Sequence, residues 1–299
     1  MRLSLPINSN KVKKILVPTD FSEQAGYALD FAYQIAIKST AEIILINVVD
    51  YPGLSSAFGG GMNVIGGAEP PLDNLDESFI NNLLSRSKEE IKAMTQKLDQ
   101  GSVKIKQVVE VGNPYFVISE KIEQENVNLV IMGTKGATGL EEVLIGSNTE
   151  RVVRHAKCPV ITIKKKRDYT KIHNIAFASN FEGDQTHVVE ELFKLQDIFK
   201  AKLHLVKINT PNNFESNRTI MKGMEAFVKK HNISNYSLNI YNDYIEEDGI
   251  IYFCEDIEAD MVALATHGRT GLMHLLSGSI AEDIVNHAKR PVWTCKLKI

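Results

Sequence analysis

Residues 129–153 read LVIMGTKGATGLEEVLIGSNTERVV, and residues 261–285 read MVALATHGRTGLMHLLSGSIAEDIV. Each stretch opens on an apolar run of strand length, passes through a glycine-containing turn and closes on a segment with helical spacing. Gly136, Gly146, Ser147 and Glu150 of the first fall on Gly268, Gly278, Ser279 and Glu282 of the second, every pair 132 residues apart. The same offset carries His155-Ala-Lys-Cys-Pro-Val160 onto His287-Ala-Lys-Arg-Pro-Val292. One unit has been built twice.

Toward the N-terminus of each copy the offset changes. Ile15, Phe21 and Ala41 match Ile175, Phe181 and Ala201 at an offset of 160, so the first copy carries 28 extra residues. They belong in 51–76, which holds Gly59-Gly-Gly61, Gly66-Gly67 and Pro70-Pro71 and reads as a long loop. The copies meet at Lys164-Lys-Lys-Arg-Asp-Tyr-Thr170, a charged linker with little apolar content, which gives two domains, 1–166 and 171–299. Within the first copy, apolar runs at 14–17, 43–49, 104–111, 129–132 and 160–164 read as strands. Helical periodicity fills 22–39, 76–98, 114–125 and 147–155. Strands alternating with helices imply right-handed crossovers and a parallel sheet covered on both faces. The expected fold is α/β: two doubly wound, Rossmann-like domains in tandem, each with a five-stranded parallel sheet. Each last strand, 160–164 and 292–296, would be an apolar open edge, so the two are expected to pair about a pseudo-twofold axis.

Composition removes several function classes. Lys plus Arg number 34 against 37 Asp plus Glu, a net charge of −3, which supplies no basic field for nucleic acid and no polybasic tract for a membrane surface. The N-terminal residues have no secretory apolar core, and no apolar run approaches the roughly 20 residues of a membrane span. Three cysteines without Cys-x-x-Cys spacing argue against a zinc site and point to a reducing compartment, the cytoplasm. Gly61 to Gly67 has the spacing of a phosphate loop but lacks its Lys-Ser/Thr. His267 and His274 lack a third metal ligand, and no Gly-x-Ser-x-Gly elbow occurs.

In doubly wound sheets ligands sit beyond the carboxyl ends of the strands, where strand order reverses. There the first copy places Met132-Gly133-Thr-Lys135-Gly136 and, after nine residues, Gly146-Ser-Asn-Thr149 at a helix start. Glycines allow close approach of backbone to ligand, and a helix N-terminus with unpaired N–H groups receives phosphate, with the hydroxyls of Ser147 and Thr149 as added donors. Pro18-Thr19-Asp20 ends the first strand and sets a carboxylate across the same crevice. Taken singly these residues have plain structural readings: Ser147 as an N-cap, Asp20 as a cap beside Ser22, Lys135 as a solvated loop lysine, and Glu150 and Glu282 as helix-start carboxylates rather than general bases.

Together, Val17-Pro-Thr-Asp-Phe-Ser22, Val48-Val-Asp50, Gly112-Asn-Pro114 and Gly133-Thr-Lys-Gly136 through Gly146-Ser147 resemble the universal stress protein family in its ATP-binding branch, over nearly all of both copies except 51–76. The resemblance implies a stress or signalling protein that binds ATP together with magnesium and does not turn it over rapidly. It implies that Asp20 and the backbone at Val48 face adenine and that Gly133 lies by the ribose. Gly136, Gly146, Ser147, Asn148 and Thr149 then surround phosphates that Lys135 can neutralise. It also implies pairing through the last strand, within the chain or with a second copy of it. In the second copy Gly268, Gly278 and Ser279 remain, while Asn180 stands for the acid, Ala265 for the first glycine, and Gly-x-Pro is missing around Tyr244, so weaker binding is expected there. A nucleotide-free scaffold and a slow ATPase are the alternatives.

Overall fold

The computed structural model describes residues 11–50, 77–98, 102–134, 145–266 and 278–297. The first copy runs β1 (Lys14–Pro18), α1 (Glu23–Ser39), β2 (Glu42–Val49), α2 (Glu77–Gln96), β3 (Ile105–Val111), α3 (Pro114–Gln124), β4 (Leu129–Gly133), α4 (Ser147–His155) and β5 (Val160–Ile163). The second repeats the order: β6 (Asn174–Ala178), α5 (Thr186–Phe199), β7 (Lys202–Asn209), α6 (Asn217–His231), β8 (Tyr236–Asn242), α7 (Glu246–Asp256), β9 (Met261–Thr266), α8 (Gly278–His287) and β10 (Val292–Lys296). These bounds lie within a few residues of the sequence expectation because the inner strands, such as Ile43 to Ile46, are buried on both faces and therefore continuously apolar.

The ten strands form one sheet in the order β3-β2-β1-β4-β5-β10-β9-β6-β7-β8. Each half is parallel and reverses between its first and fourth strands, as the doubly wound pattern requires. The halves join where β5 meets β10 antiparallel, with Val292 opposite Thr162, Trp293 opposite Ile161 and Thr294 opposite Val160. Ile161 and Trp293 are counterparts at the offset of 132, so the pseudo-twofold axis passes between them. Side chains obey it: Thr162 Oγ1 donates to Val292 O and Thr294 Oγ1 to Val160 O, both at 3.4 Å.

The faces differ. On one, a single core runs through both halves, from Ile15, Phe31 and Ile43 to Phe177, Leu192 and Trp293. On the other there are two separate clusters, one around Leu16, Ile118 and Val152 and one around Val206, Ile250 and Ile284. The linker 164–170 contributes one apolar residue to the shared face. Tyr169 is buried there, its ring 4.5 Å from that of Phe31 on α1, which also stacks on Phe199 of α5 at 6.1 Å. At the opposite end of the first sheet from its ligand crevice, Glu125 bridges Lys14 at 3.0 Å and Lys106 at 2.6 Å.

Two stability outcomes follow from this arrangement. Trp293, the only tryptophan, is 1% exposed at the seam. Trp293→Ala should cost about 3–5 kcal/mol in chemical denaturation, and in the wild type the emission should stay blue until the seam opens. Hydrogen bonds from Lys106 and Lys14 hold the Glu125 carboxyl down at about 2, from an ordinary 4.5. Its contribution is present above 4.5 and is lost as pH falls toward 2; because the pair is solvent-screened, the effect is small. Glu125→Gln should flatten the stability profile in that window, as read from urea midpoints between pH 5 and 2.

Candidate functional site

The crevice at the β1/β4 reversal begins with a tight turn. Asn47 Nδ2 donates to Thr19 O at 2.8 Å, and Thr19 N donates to Ile46 O at 2.8 Å, locking the end of β1 against β2. Thr19 Oγ1 accepts from Phe21 N at 3.0 Å and Asp20 Oδ1 from Ser22 N at 3.1 Å. These bonds hold Phe21 at φ 65°, a left-handed conformation that a bulky residue adopts only when its surroundings impose it. Ser22 is the N-cap of α1, accepting from Ala25 N. Asp20 is therefore exposed at the crevice rim, one oxygen fixed in the turn.

A cavity of about 230 Å³ opens beside this turn. Ile46, Val48, Ile118 and Met132 give it an apolar wall, Pro18, Thr19 and Asp20 its rim, and Gly133 and Gly146 to Thr149 its far side. The structure thus brings together Pro18, Thr19, Asp20, Val48, Met132, Gly133, Gly146, Ser147, Asn148 and Thr149. Lys135, Gly136 and Gly268 lie outside the described residues, as do Gly61 to Gly67, His267 and His274.

Three details refine the reading of these residues. The N-cap of α4 is Gly146, not Ser147, and it makes no side-chain capping bond. Gly146 has no side chain with which to cap the first-turn amides of α4, and such amides are donors for an anion. The Thr149 hydroxyl is not an added phosphate donor: it is buried and donates to Gly133 O at 3.0 Å, tying α4 to the end of β4. Gly133 is explained by packing, since a Cβ there would stand 2.8 Å from Gln24 Cβ and 3.1 Å from Ala25 N at the start of α1. By contrast Gly112, at φ 148° before the Asn113 cap and Pro114 of α3, is required by its backbone conformation. Asn47 and Phe21 escaped sequence reasoning, although Phe21 recurs as Phe181, held in the same turn at φ 60° by Ser179 Oγ.

The universal stress protein family model matches residues 11–164 and 245–296. The chain belongs to this family. Universal stress protein MJ0577 of Methanocaldococcus jannaschii is 32% identical over 155 residues, 52% of this chain and 96% of that protein. Universal stress protein MJ0531 of the same organism is 35% identical over 158 residues, 53% of this chain and 85% of that one. A universal stress protein structure from Archaeoglobus fulgidus covers 95% of this chain and 98% of its own with a TM-score of 0.73 at 19% identity, a likeness of fold through both repeats. The family model takes in 51–76, which the sequence resemblance had set aside, and leaves out 165–244, the first part of the second repeat.

The second crevice of this universal stress protein departs from its first in that unmatched part, at the turn 179–186, and in the matched part at Glu246 and Ala265. α1 starts at Glu23, but α5 starts three equivalent positions later, at Thr186. The shortened helix leaves Gln185 buried in the turn, where it accepts from Ser179 Oγ and donates to Asn180 Oδ1 and Glu182 O. α5 begins after the positions equivalent to Gln24 and Ala25, the residues a Cβ at Gly133 would meet, and Ala265 is buried; Gln185 and Glu182 N both donate to Asn180 Oδ1. A cavity of about 290 Å³ remains, but it is differently furnished. Lys207 is paired with Glu215 and lies 3.9 Å from Glu182, Glu246 replaces Pro114, and burial raises the Glu246 carboxyl above its ordinary range. Three carboxylates against one lysine oppose a polyphosphate there.

Among the described residues no group of three or more His, Cys, Asp or Glu could hold a metal, and no helix is long and apolar enough to cross a membrane. The three cysteines are free thiols. Gly133→Ala should destabilise the chain by about 1–3 kcal/mol, because its Cβ meets backbone as well as side chain on α1. Thermal or urea unfolding with no nucleotide present measures this directly.

Proposed function

We propose that the first repeat binds ATP and that occupancy of this one crevice, rather than turnover, is the output of the chain as a stress-response or signalling module. The observation that carries the reading is the start of α4: a glycine cap without a side-chain bond presents the amides of Ser147 and Asn148 to a cavity whose opposite wall is apolar. An anion at those amides and an aromatic base against Ile46, Val48 and Ile118 is the chemistry of a nucleotide. Asp20, on the rim, is placed for the base or ribose hydroxyls. Gly133 lies between the two, and Lys135 and Gly136 complete the phosphate side in the family motif.

A divalent cation is compatible with this site on one condition. Asp20 is the only carboxylate among the described lining residues, so magnesium would arrive bound to phosphate oxygens and water rather than in a protein cage. The second crevice, with Gln185 filling its turn and Glu246 at its wall, is assigned no ATP; Gly278 and Ser279 there are remnants of the phosphate half. Cytoplasmic location belongs to the same reading.

Denaturing freshly purified protein should release adenine nucleotide. Calorimetry with MgATP should give about one site per chain, and Gly146→Val, which puts a branched side chain at the cap of α4, should weaken binding at least tenfold, roughly 1.4 kcal/mol, with circular dichroism unchanged. Unaltered affinity in the folded variant would overturn the assignment, and two equivalent sites would overturn the asymmetry. ATP hydrolysis well above background would replace the occupancy reading with an enzymatic one.

A further inference from the structure

The turn that leads into α4 is held by the other repeat. Gly146 N donates to Thr134 O at 2.8 Å, within the first repeat, but the preceding amide, Ile145 N, donates to Asn286 Oδ1 on α8 at 2.7 Å. The Ile145 side chain packs against the second repeat's cluster around Ile280, Ile284 and Val285. Around this contact α8 is fastened twice more. Arg154 Nε, from the last turn of α4, donates to Glu282 Oε1 at 2.9 Å, and Lys164 Nζ donates to the backbone oxygen of Asn286, where a cation complements the carboxyl end of the helix.

These contacts are not symmetric. At the offset of 132, Glu282 is the counterpart of Glu150 and Asn286 the counterpart of Arg154. The first repeat thus offers a guanidinium at the position where the second offers an amide, and the amide is what reaches the residue before the α4 cap. We propose that Asn286 is a positioning residue for the first crevice: by holding Ile145, the second repeat sets the orientation of the Gly146 to Thr149 turn and with it the affinity of the first repeat for nucleotide. This deepens the ATP reading and rests on it. A hydrogen bond that aligns the turn is present before ligand arrives, so its loss would lower affinity by leaving the turn to be ordered on binding. By thermodynamic reciprocity, nucleotide in the first crevice tightens the hold on α8, which makes the second repeat responsive to occupancy of the first.

The test uses the full chain with Asn286→Ala and Asn286→Asp. Alanine is the better helix former, so α8 is retained while the acceptor is removed; aspartate keeps an oxygen at the same position. Amide exchange without nucleotide should be fast at Ile145 in Asn286→Ala and protected again in Asn286→Asp, with the β5–β10 amides protected in both. Calorimetry with MgATP should show Asn286→Ala binding about five- to tenfold more weakly than wild type, and MgATP should slow exchange in α8 of the wild type. Unchanged exchange at Ile145, or unchanged MgATP affinity in the alanine variant, overturns the proposal. A wild type that binds no MgATP overturns the nucleotide reading and the proposed effect on affinity, while exchange at Ile145 still decides whether Asn286 holds the turn.

Discussion

A parallel sheet that ends in an apolar strand has an edge to hide, and this chain hides two with one set of hydrogen bonds. Antiparallel pairing of β5 with β10 places Ile161 against its own counterpart, Trp293, and the twofold relation of everything else follows from that register. A slip of one residue would turn Trp293 and Ile161 away from the core face they share with Phe31 and Phe177, which fixes the register as firmly as the burial of those side chains. The seam also explains why one face of the sheet has a continuous core and the other has two. Phe31, Tyr169 and Phe199 fill the groove between α1 and α5 across the axis, whereas on the opposite face Arg154 of α4 bonds to Glu282 of α8 and Lys164 donates to Asn286 O.

That difference between faces is what gives the crevices their setting. The first crevice lies on the side of the sheet where α3 and α4 pack, and α4 also contacts β10 of the other half. Its amino end borders the crevice and follows Ile145, which bonds to Asn286, while its carboxyl end carries Arg154, which bonds to Glu282, so this short helix is tied to the other repeat at both ends. Such an arrangement permits a local ligand to be felt across the axis without any change in the hydrophobic seam itself. The seam supplies stability, and the polar contacts beside it supply adjustability.

The fold was legible because it depends on the least ambiguous signals a sequence carries: buried strands as unbroken apolar runs, helices by their period, and a repeat that doubles each observation. Much of the candidate site was legible too, because glycine spacing at the end of β4 and a Pro-Thr-Asp turn at the end of β1 are local. What escaped depended on partners distant in sequence or on competition for one hydrogen bond. Nothing local to Thr149 shows that its hydroxyl goes to Gly133 O. A glycine at 133 looks like an opening for a ligand, whereas Gln24 and Ala25 already account for it. Asn286 and Ile145 are 141 residues apart, and only the seam brings them together.

The second repeat shows how a crevice can be refurnished without altering a fold. Substituting Ala265 for glycine would clash if α5 began where α1 does; the helix begins later instead, and the vacated turn is filled by Gln185, which bonds to Ser179, Asn180 and Glu182. Ser179 Oγ still holds Phe181, as Thr19 holds Phe21, so the turn survives while Gln185 bonds to the Asn180 oxygen. The strands below are unaffected, since their pairing does not involve these side chains. In the cavity beside this turn Glu246 joins Glu182 and Glu215 around Lys207, where the first repeat has Pro114. What the second repeat shares with the first is β10 at the seam and α8, whose Asn286 faces the start of α4 and whose Glu282 faces its end.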